Sequence, residues 1–213
     1  MYVEGSILTA YLLGSVPFGL LIGRSRGVDI RHRGSGNIGA TNLARALGRR
    51  WGILAFCLDY LKGLAPTLLA VQALLKVGAQ GEPGLAPAGG WPSWLPVAVG
   101  AAAILGHVFP IFLRFRGGKG VATAFGVMTA LSWPATLAAG AVWLVVYALT
   151  RTVSLASLTG AVTLPIATLA MAPKDHDATT SITGFAVAVA ALILIRHRSN
   201  LGRLLRGEEF RFR

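Results

Sequence analysis

Charge is what this 213-residue chain has least of: Asp, Glu, Lys and Arg together make up 13% of it, against about 25% in ordinary soluble domains. That scarcity excludes an enzyme with a water-facing surface on all sides. It is what burial in lipid demands, because each charge at the bilayer centre costs a few kcal/mol. Acidic residues are scarcest, 8 against 20 Lys and Arg. No cluster of ligand-type side chains has metal-binding spacing, and Asp29 alone cannot make a magnesium site. No metal and no cofactor is therefore expected. The single cysteine, Cys57, excludes an internal disulfide. No repeat of 20–50 residues recurs and no second domain is visible, so residues 1–213 are read as one helical membrane domain. The N-terminus lacks a basic region and a small-residue cleavage site, and its apolar stretch is read as a retained helix rather than a signal peptide.

What is present is apolar: 54% of the chain is hydrophobic. A bilayer core of about 30 Å takes roughly 20 apolar residues per helix. Apolar runs lie at about 3–23, 51–77, 93–113, 120–133, 135–150, 152–172 and 180–195. They predict an all-α polytopic membrane protein of about seven transmembrane helices, with five as the fallback if 120–150 is one broken excursion at Trp133-Pro134. With seven spans, 17 of the 20 Lys and Arg fall on one side, in 24–50, 114–119, 151 and 196–213. The positive-inside rule then places the N-terminus outside and the C-terminus in the cytoplasm. The net charge of +12 is accounted for by topology and by attraction to anionic lipid headgroups, with no nucleic acid partner. The outer linkers, 78–92 and 173–179, read as turns.

The chemistry is expected in the inner loops. The first, Gly27 to Arg50, carries Gly34-Ser35-Gly36-Asn37-Ile38-Gly39-Ala40-Thr41-Asn42, whose glycines let the backbone turn N–H groups toward an anion. Thr41 or Asn42 is placed to cap a short amphipathic helix bearing Arg45, and a helix start beside a glycine-rich turn suits phosphate. The G-x-G-x-x-G spacing, with Asp59 20 residues beyond Gly39, imitates a dinucleotide fingerprint. That motif needs a preceding strand, and here a membrane helix precedes it. The second loop, Arg116-Gly117-Gly118-Lys119-Gly120, is no P-loop, but it offers backbone donors and a lysine at a helix start. The third is C-terminal: His197 and Asn200 share a face if the last helix continues through them, and from Arg206 onward a solvated tail is expected. Within the membrane, Asp59 and Lys62 are spaced to pair, as a functional site or as a structural tie. His107 reads as a packed histidine. Together these loops predict a site for a phosphorylated, amphipathic ligand at the cytoplasmic interface.

Four strings taken together resemble one family. They are Gly14-Ser15-Val16-Pro17-Phe18-Gly19, Gly34 to Asn42, Gly106-His107-Val108-Phe109-Pro110, and Arg116 to Thr123; Arg196-His197-Arg198-Ser199-Asn200-Leu201 resembles that family's third motif, with Ser199 where glutamate is usual. The family is the bacterial acyl-phosphate-dependent glycerol-3-phosphate acyltransferases, and the linker at 78–92 has no counterpart in the resemblance. It implies a multi-pass protein of the bacterial cytoplasmic (inner) membrane with its active site facing the cytoplasm. It also implies acyl transfer from acyl-phosphate to the 1-hydroxyl of glycerol 3-phosphate, giving lysophosphatidic acid and phosphate in phospholipid synthesis. On that reading Ser35, Gly36, Asn37, Thr41 and Arg45, with Gly117, Gly118, Lys119 and Gly120, hold the substrates' phosphates. His197 and Asn200 complete the pocket, and Ser154 lines it. Ser35, Lys119, His197 and Asn200 are the residues closest to the chemistry.

The His and Asp separated by four residues that mark many acyltransferases using acyl-CoA or acyl carrier protein are absent, since the positions five after His32, His107, His176 and His197 are Asn37, Phe112, Ser181 and Gly202. A serine nucleophile elbow is likewise not expected. The reaction is therefore read as direct attack by the acceptor hydroxyl, with His197 or a substrate phosphate taking the proton. The rival reading is a transporter for phosphate or a phosphorylated solute, which would show inverted repeats and ionisable groups near the midplane.

Overall fold

The structure, a computed structural model, describes residues 2–80, 92–171 and 176–212. Among them the chain is helical throughout, with no strand. Ten α-helices follow in order: α1 (Tyr2–Ser15), α2 (Phe18–Ser25), α3 (Ala40–Leu47), α4 (Arg49–Gln80), α5 (Leu95–Val108), α6 (Val121–Leu131), α7 (Trp133–Thr150), α8 (Val153–Ala170), α9 (His176–Arg196) and α10 (Arg198–Leu205). Single 3₁₀ turns lie at Ile30–His32 and Ile111–Leu113. Each apolar run read from the sequence is helical over most of its described residues. Of the outer linkers, 81–91 and 173–175 lie outside the described residues. Residues 78–80 and 176–179 are helical, because α4 runs on to Gln80 and α9 already begins at His176, and only Pro92 is irregular.

By length and apolarity alone the spans number five or six, between the first expectation of seven and the fallback of five. Five segments are long and apolar enough to cross a membrane: Val3–Ser25, Arg49–Lys76, Leu95–Leu113, Trp133–Thr150 and Val153–Ala170. A sixth arises if Thr180–Arg196 and Arg198–Leu205, bent by 60° at their junction, are one span. The shortfall is α6, whose 11 residues rise only about 16 Å at 1.5 Å per residue, half the hydrocarbon thickness. The break at Trp133-Pro134 is real, since Pro134 opens α7 behind Ser132. The first span is broken too, because Pro17 has no N–H to continue α1.

The chain falls into two compact units, Met1–Leu131 and Ser132–Arg213. In the first, α4 packs on α6, and α1 on α5. Both crossings are glycine-mediated. A Cβ on Gly14 would run into the Ala103 carbonyl and one on Gly106 into that of Tyr11; likewise Gly63 faces Thr123 and Gly126 faces Tyr60. In lipid no hydrophobic force drives helices together, so this close backbone approach supplies the packing. Beneath the first loop, Leu20, Ile30, Ile38, Leu43 and Ala55 form a buried core against which Trp51 and Leu113 pack.

In the second unit α7 and α8 form an antiparallel hairpin turning at Arg151, whose φ of 55° closes it. Trp143 Nε1 donates to Ser157 Oγ across the hairpin at 3.2 Å. Helix α9 packs on α8, and the chain bends after Arg196 into α10.

Candidate active site

The first loop is organised by one side chain. Asn42, 2% exposed, accepts the Ser35 N–H at 3.0 Å through Oδ1. Its Nδ2 donates to the carbonyls of Ile30, Arg33 and Asn37 at 2.8, 3.0 and 2.9 Å. Gly34 and Gly36 take positive φ, 53° and 69°, and a Cβ on Gly34 would collide with Asn42 Oδ1. Ahead of this turn Asp29 caps the Ile30–His32 turn by accepting the Arg31 N–H at 3.0 Å. The side-chain hydrogen bond from Arg31 holds the Asp29 carboxyl well below the usual carboxylate range.

Two expectations change here. The cap of α3 is Gly39, not Thr41 or Asn42. The loop amides do not all point outward either. Ser35 N–H goes to Asn42, Gly36 N–H to Arg33 O at 2.9 Å and Gly39 N–H to Asn37 Oδ1 at 2.9 Å. The glycines shape the turn, and what the turn offers outward is side chains: Ser35 is exposed, while Asn37, Thr41 and Arg45 are half-buried on the loop and on α3.

The second loop is built on the end of α5. Gly117 N–H donates to Val108 O at 3.1 Å and Gly118 N–H to His107 O at 3.0 Å, so these amides satisfy the helix's terminal carbonyls. Both positions require glycine: a Cβ on Gly117 would meet the His107 carbonyl and Pro110, and one on Gly118 the His107 imidazole at Nε2. Arg114 and Phe115 sit in the left-handed region at φ 51° and 61°. That turn is held by Phe115 N–H to Pro110 O at 2.9 Å. Lys119 follows, half-buried, and Gly120, φ 85°, opens α6. Leu113 packs into the core under the first loop, so the two loops share one support.

In the second unit His197 stands at the 60° bend rather than on a continuing helix. It is 3% exposed and Asn200 is 4% exposed. His197 Nδ1 lies 2.8 Å from the Ile193 carbonyl. A carbonyl only accepts, so Nδ1 carries a proton, which in the neutral tautomer leaves the lone pair on Nε2. Asn200 Nδ2 donates to Glu209 Oε1 at 2.8 Å, and Arg203 Nε donates to Glu209 Oε2 at 2.8 Å. The expected solvated tail holds for Arg206 to Glu208, Phe210 and Arg211, which are exposed, and is corrected at Glu209, which is buried, and at Phe212, whose N–H returns to Arg151 O at 2.9 Å. A cavity of about 320 Å³ beside the tail is lined by Thr150, Thr152, Leu204, Glu209 and their neighbours, and by no residue expected in the site. Ser154, in the first turn of α8, is buried and its Oγ has no hydrogen-bond partner. The same holds for Thr123 Oγ1 in the first turn of α6, which the sequence reading did not single out.

Two motif readings are also decided. Gly34 to Gly39 follows a 3₁₀ turn, not a strand, and Asp59 lies inside α4, so the described residues do not form the dinucleotide unit that the spacing imitates. Contrary to expectation, one G-x-S-x-G string is present, Gly23-Arg24-Ser25-Arg26-Gly27. It ends a helix, with Ser25 Oγ donating to Ile22 O at 2.9 Å, and lacks the strand–turn–helix of a nucleophile elbow.

Residues 5–207 match the family model described as glycerol-3-phosphate acyltransferase. The chain belongs to the glycerol-3-phosphate acyltransferase family. It is 43% identical over 206 residues to the glycerol-3-phosphate acyltransferase of Aquifex aeolicus, covering 97% of each. With that of Trichlorobacter lovleyi it shares 46% over 207 residues, 97% of this chain and 96% of the relative. Among solved structures it is similar to the glycerol 3-phosphate form of PlsY (YgiH), an integral membrane glycerol 3-phosphate acyltransferase, with TM-score 0.84 and 39% identity over all of this chain and 96% of that one. The lysophosphatidic acid form of PlsY gives TM-score 0.81, again at 39% identity, with the same coverage. Like PlsY, this member of the acyltransferase family is an all-helical, multi-pass integral membrane protein.

Proposed function

We propose that this acyltransferase moves a fatty acyl group from acyl-phosphate to the 1-hydroxyl of glycerol 3-phosphate, releasing lysophosphatidic acid and inorganic phosphate. Glycerol 3-phosphate and lysophosphatidic acid are the compounds of the two PlsY forms; the acyl-phosphate donor is our reading. The observation that carries it is the pair of loops on a shared core, presenting Ser35, Asn37, Thr41 and Arg45 from one and Lys119 from the other. Both substrates carry phosphate, and charge-assisted bonds from Arg and Lys are the strong way to hold it. The glycines at 36, 117, 118 and 120 act by shaping these turns.

The acceptor hydroxyl oxygen attacks the acyl carbonyl carbon, an ester C–O bond forms, and the C–O bond to phosphate breaks with its electron pair leaving on the phosphate. The hydroxyl proton goes to His197 Nε2, the ring nitrogen that carries the lone pair while Nδ1–H is held by Ile193, or to the departing phosphate. The family resemblance is what assigns Asn200, its amide oriented by Glu209, and Ser154, with its unpartnered hydroxyl, to the acceptor. A mixed anhydride already has a good leaving group, so proximity and fixed charge suffice and no acyl-enzyme or cofactor is needed.

We place the chain in a bacterial cytoplasmic membrane, loops inward and N-terminus outward, with the short α6 and α9 each counted as a crossing to make seven, and acting as a single domain; the concentration of Lys and Arg on one side supports that orientation. The discriminating experiment uses purified protein in detergent, where no gradient exists and a transporter has nothing to do. Glycerol 3-phosphate with palmitoyl-phosphate should give lysophosphatidic acid and phosphate in equal amounts, and palmitoyl-CoA should give none. Turnover with palmitoyl-CoA alone would refute the donor assignment, and flux of solute into proteoliposomes without product would favour a transporter.

A further inference from the structure

Three ionisable side chains lie buried together among the helices of the first unit, and the reaction as proposed uses none of them. Asp59 and Lys62, three apart on α4, pair at 2.8 Å, each side chain 4% exposed. Lys62 Nζ also donates to the Val16 carbonyl at 2.8 Å, at the break where Pro17 ends α1, and stands 5.6 Å from the centre of the Phe18 ring. On the far side of Asp59, His107 Nδ1 of α5 lies 3.6 Å from Asp59 Oδ1. The other end of the same imidazole, Nε2, faces Gly118 so closely that no Cβ fits there. The backbone carbonyl of His107 accepts the Gly118 N–H at 3.0 Å. One continuous path therefore runs from the broken first span, through Lys62, Asp59 and His107, to the residue beside Lys119.

Charge buried at membrane depth is costly, and a tie between helices alone could be made by apolar packing. This cluster does more than tie: it ends on the glycine turn and contacts it from both the ring and the carbonyl of one residue. We propose that Asp59, Lys62 and His107 are positioning residues that hold the Gly117–Gly118 turn in register on α5 and so set where Lys119 meets a substrate phosphate. The inference rests on the proposed role of Lys119. His107 is placed in it as a support for the turn, with its Nδ1 side facing Asp59 at 3.6 Å, and not as the acid or base of acyl transfer.

The test is steady-state kinetics of the full-length protein in lipid with glycerol 3-phosphate and palmitoyl-phosphate, wild type alongside. Asp59→Asn and His107→Gln should each raise KM for a phosphate-bearing substrate tenfold or more, with a smaller change in kcat. Combined with Lys119→Ala, either change should add little to the loss that Lys119→Ala causes alone, because a group that acts through Lys119 has nothing left to position. The paired exchange Asp59→Leu/Lys62→Met keeps helix packing without buried charge and guards against misfolding. It should keep the wild-type thermal midpoint within a few degrees and still show the raised KM. Wild-type KM in that folded exchange, or losses that multiply with Lys119→Ala, would overturn the inference. Absence of turnover in the wild type itself would instead point to the donor assignment as the fault, and binding of glycerol 3-phosphate by the same variants then decides the matter: weakened binding in Asp59→Asn supports the positioning role, and unchanged binding refutes it.

Discussion

Asn42 shows how much of a loop can hang on one buried side chain. One amide closes the Ser35–Asn37 turn by bonding four backbone groups while almost wholly buried. Removing one partner leaves the others unsatisfied, at about 1–3 kcal/mol for each buried group stranded. Asn42→Ala should therefore cut turnover at least tenfold and open residues 31–39 to protease, while the thermal midpoint, set by the helices, moves only slightly. Equal protease resistance in the variant and the wild type would show the loop to be held by something else. The sequence offered Asn42 only as a helix cap. Its real role depends on four carbonyl and amide groups arriving from five to 12 residues away, and spacing alone does not reveal such closure. Glu209 was misread for the same reason: by composition its segment is a charged tail, and only the return of the chain to Asn200 and Arg203 buries it.

At the scale of elements the apolar runs were fully legible, because lipid burial writes itself into composition. What was not legible is which glycines matter, since a glycine in an apolar run looks the same whether it faces a neighbouring backbone or open lipid. The structure separates them. Gly63 stands against the Thr123 carbonyl on α6, whereas Gly184 on α9 has nothing within 4 Å. Gly63→Val should push α4 off α6 and lower the thermal midpoint by several degrees or prevent folding. Gly184→Ala should be neutral or slightly stabilising, in keeping with alanine's better helix propensity. Thermal unfolding of the two variants in the same detergent checks both, and a neutral Gly63→Val would mean that close helix approach contributes little here. By length and apolarity the structure offers five or six spans, between the seven first expected and the fallback of five, because α6 and the bent α9–α10 pair are apolar but short or broken.

At the scale of the whole molecule, family, fold class and reaction type were readable because several short strings stand in the right order along almost the entire chain. The proposed orientation rests on charge alone and makes its own prediction. In a Cys57→Ala background, single cysteines at Arg33 and Arg211 should react with an impermeant thiol reagent only from the cytoplasmic side, and one at Gly84 only from outside. The reverse pattern would invert the topology and place both loops on the wrong face for a cytoplasmic substrate.

The account's central claim is that fixed positive charge and positioning perform the transfer, with the acyl-phosphate supplying its own leaving group. The measurement that tests it most directly compares kcat/KM for palmitoyl-phosphate and glycerol 3-phosphate in wild type, Lys119→Ala and His197→Ala, each shown to be folded. A fall of a hundredfold or more in Lys119→Ala, about 2.7 kcal/mol of transition-state stabilisation, with a smaller fall in His197→Ala if phosphate takes the proton, is the predicted result. Near wild-type turnover in Lys119→Ala would contradict the claim.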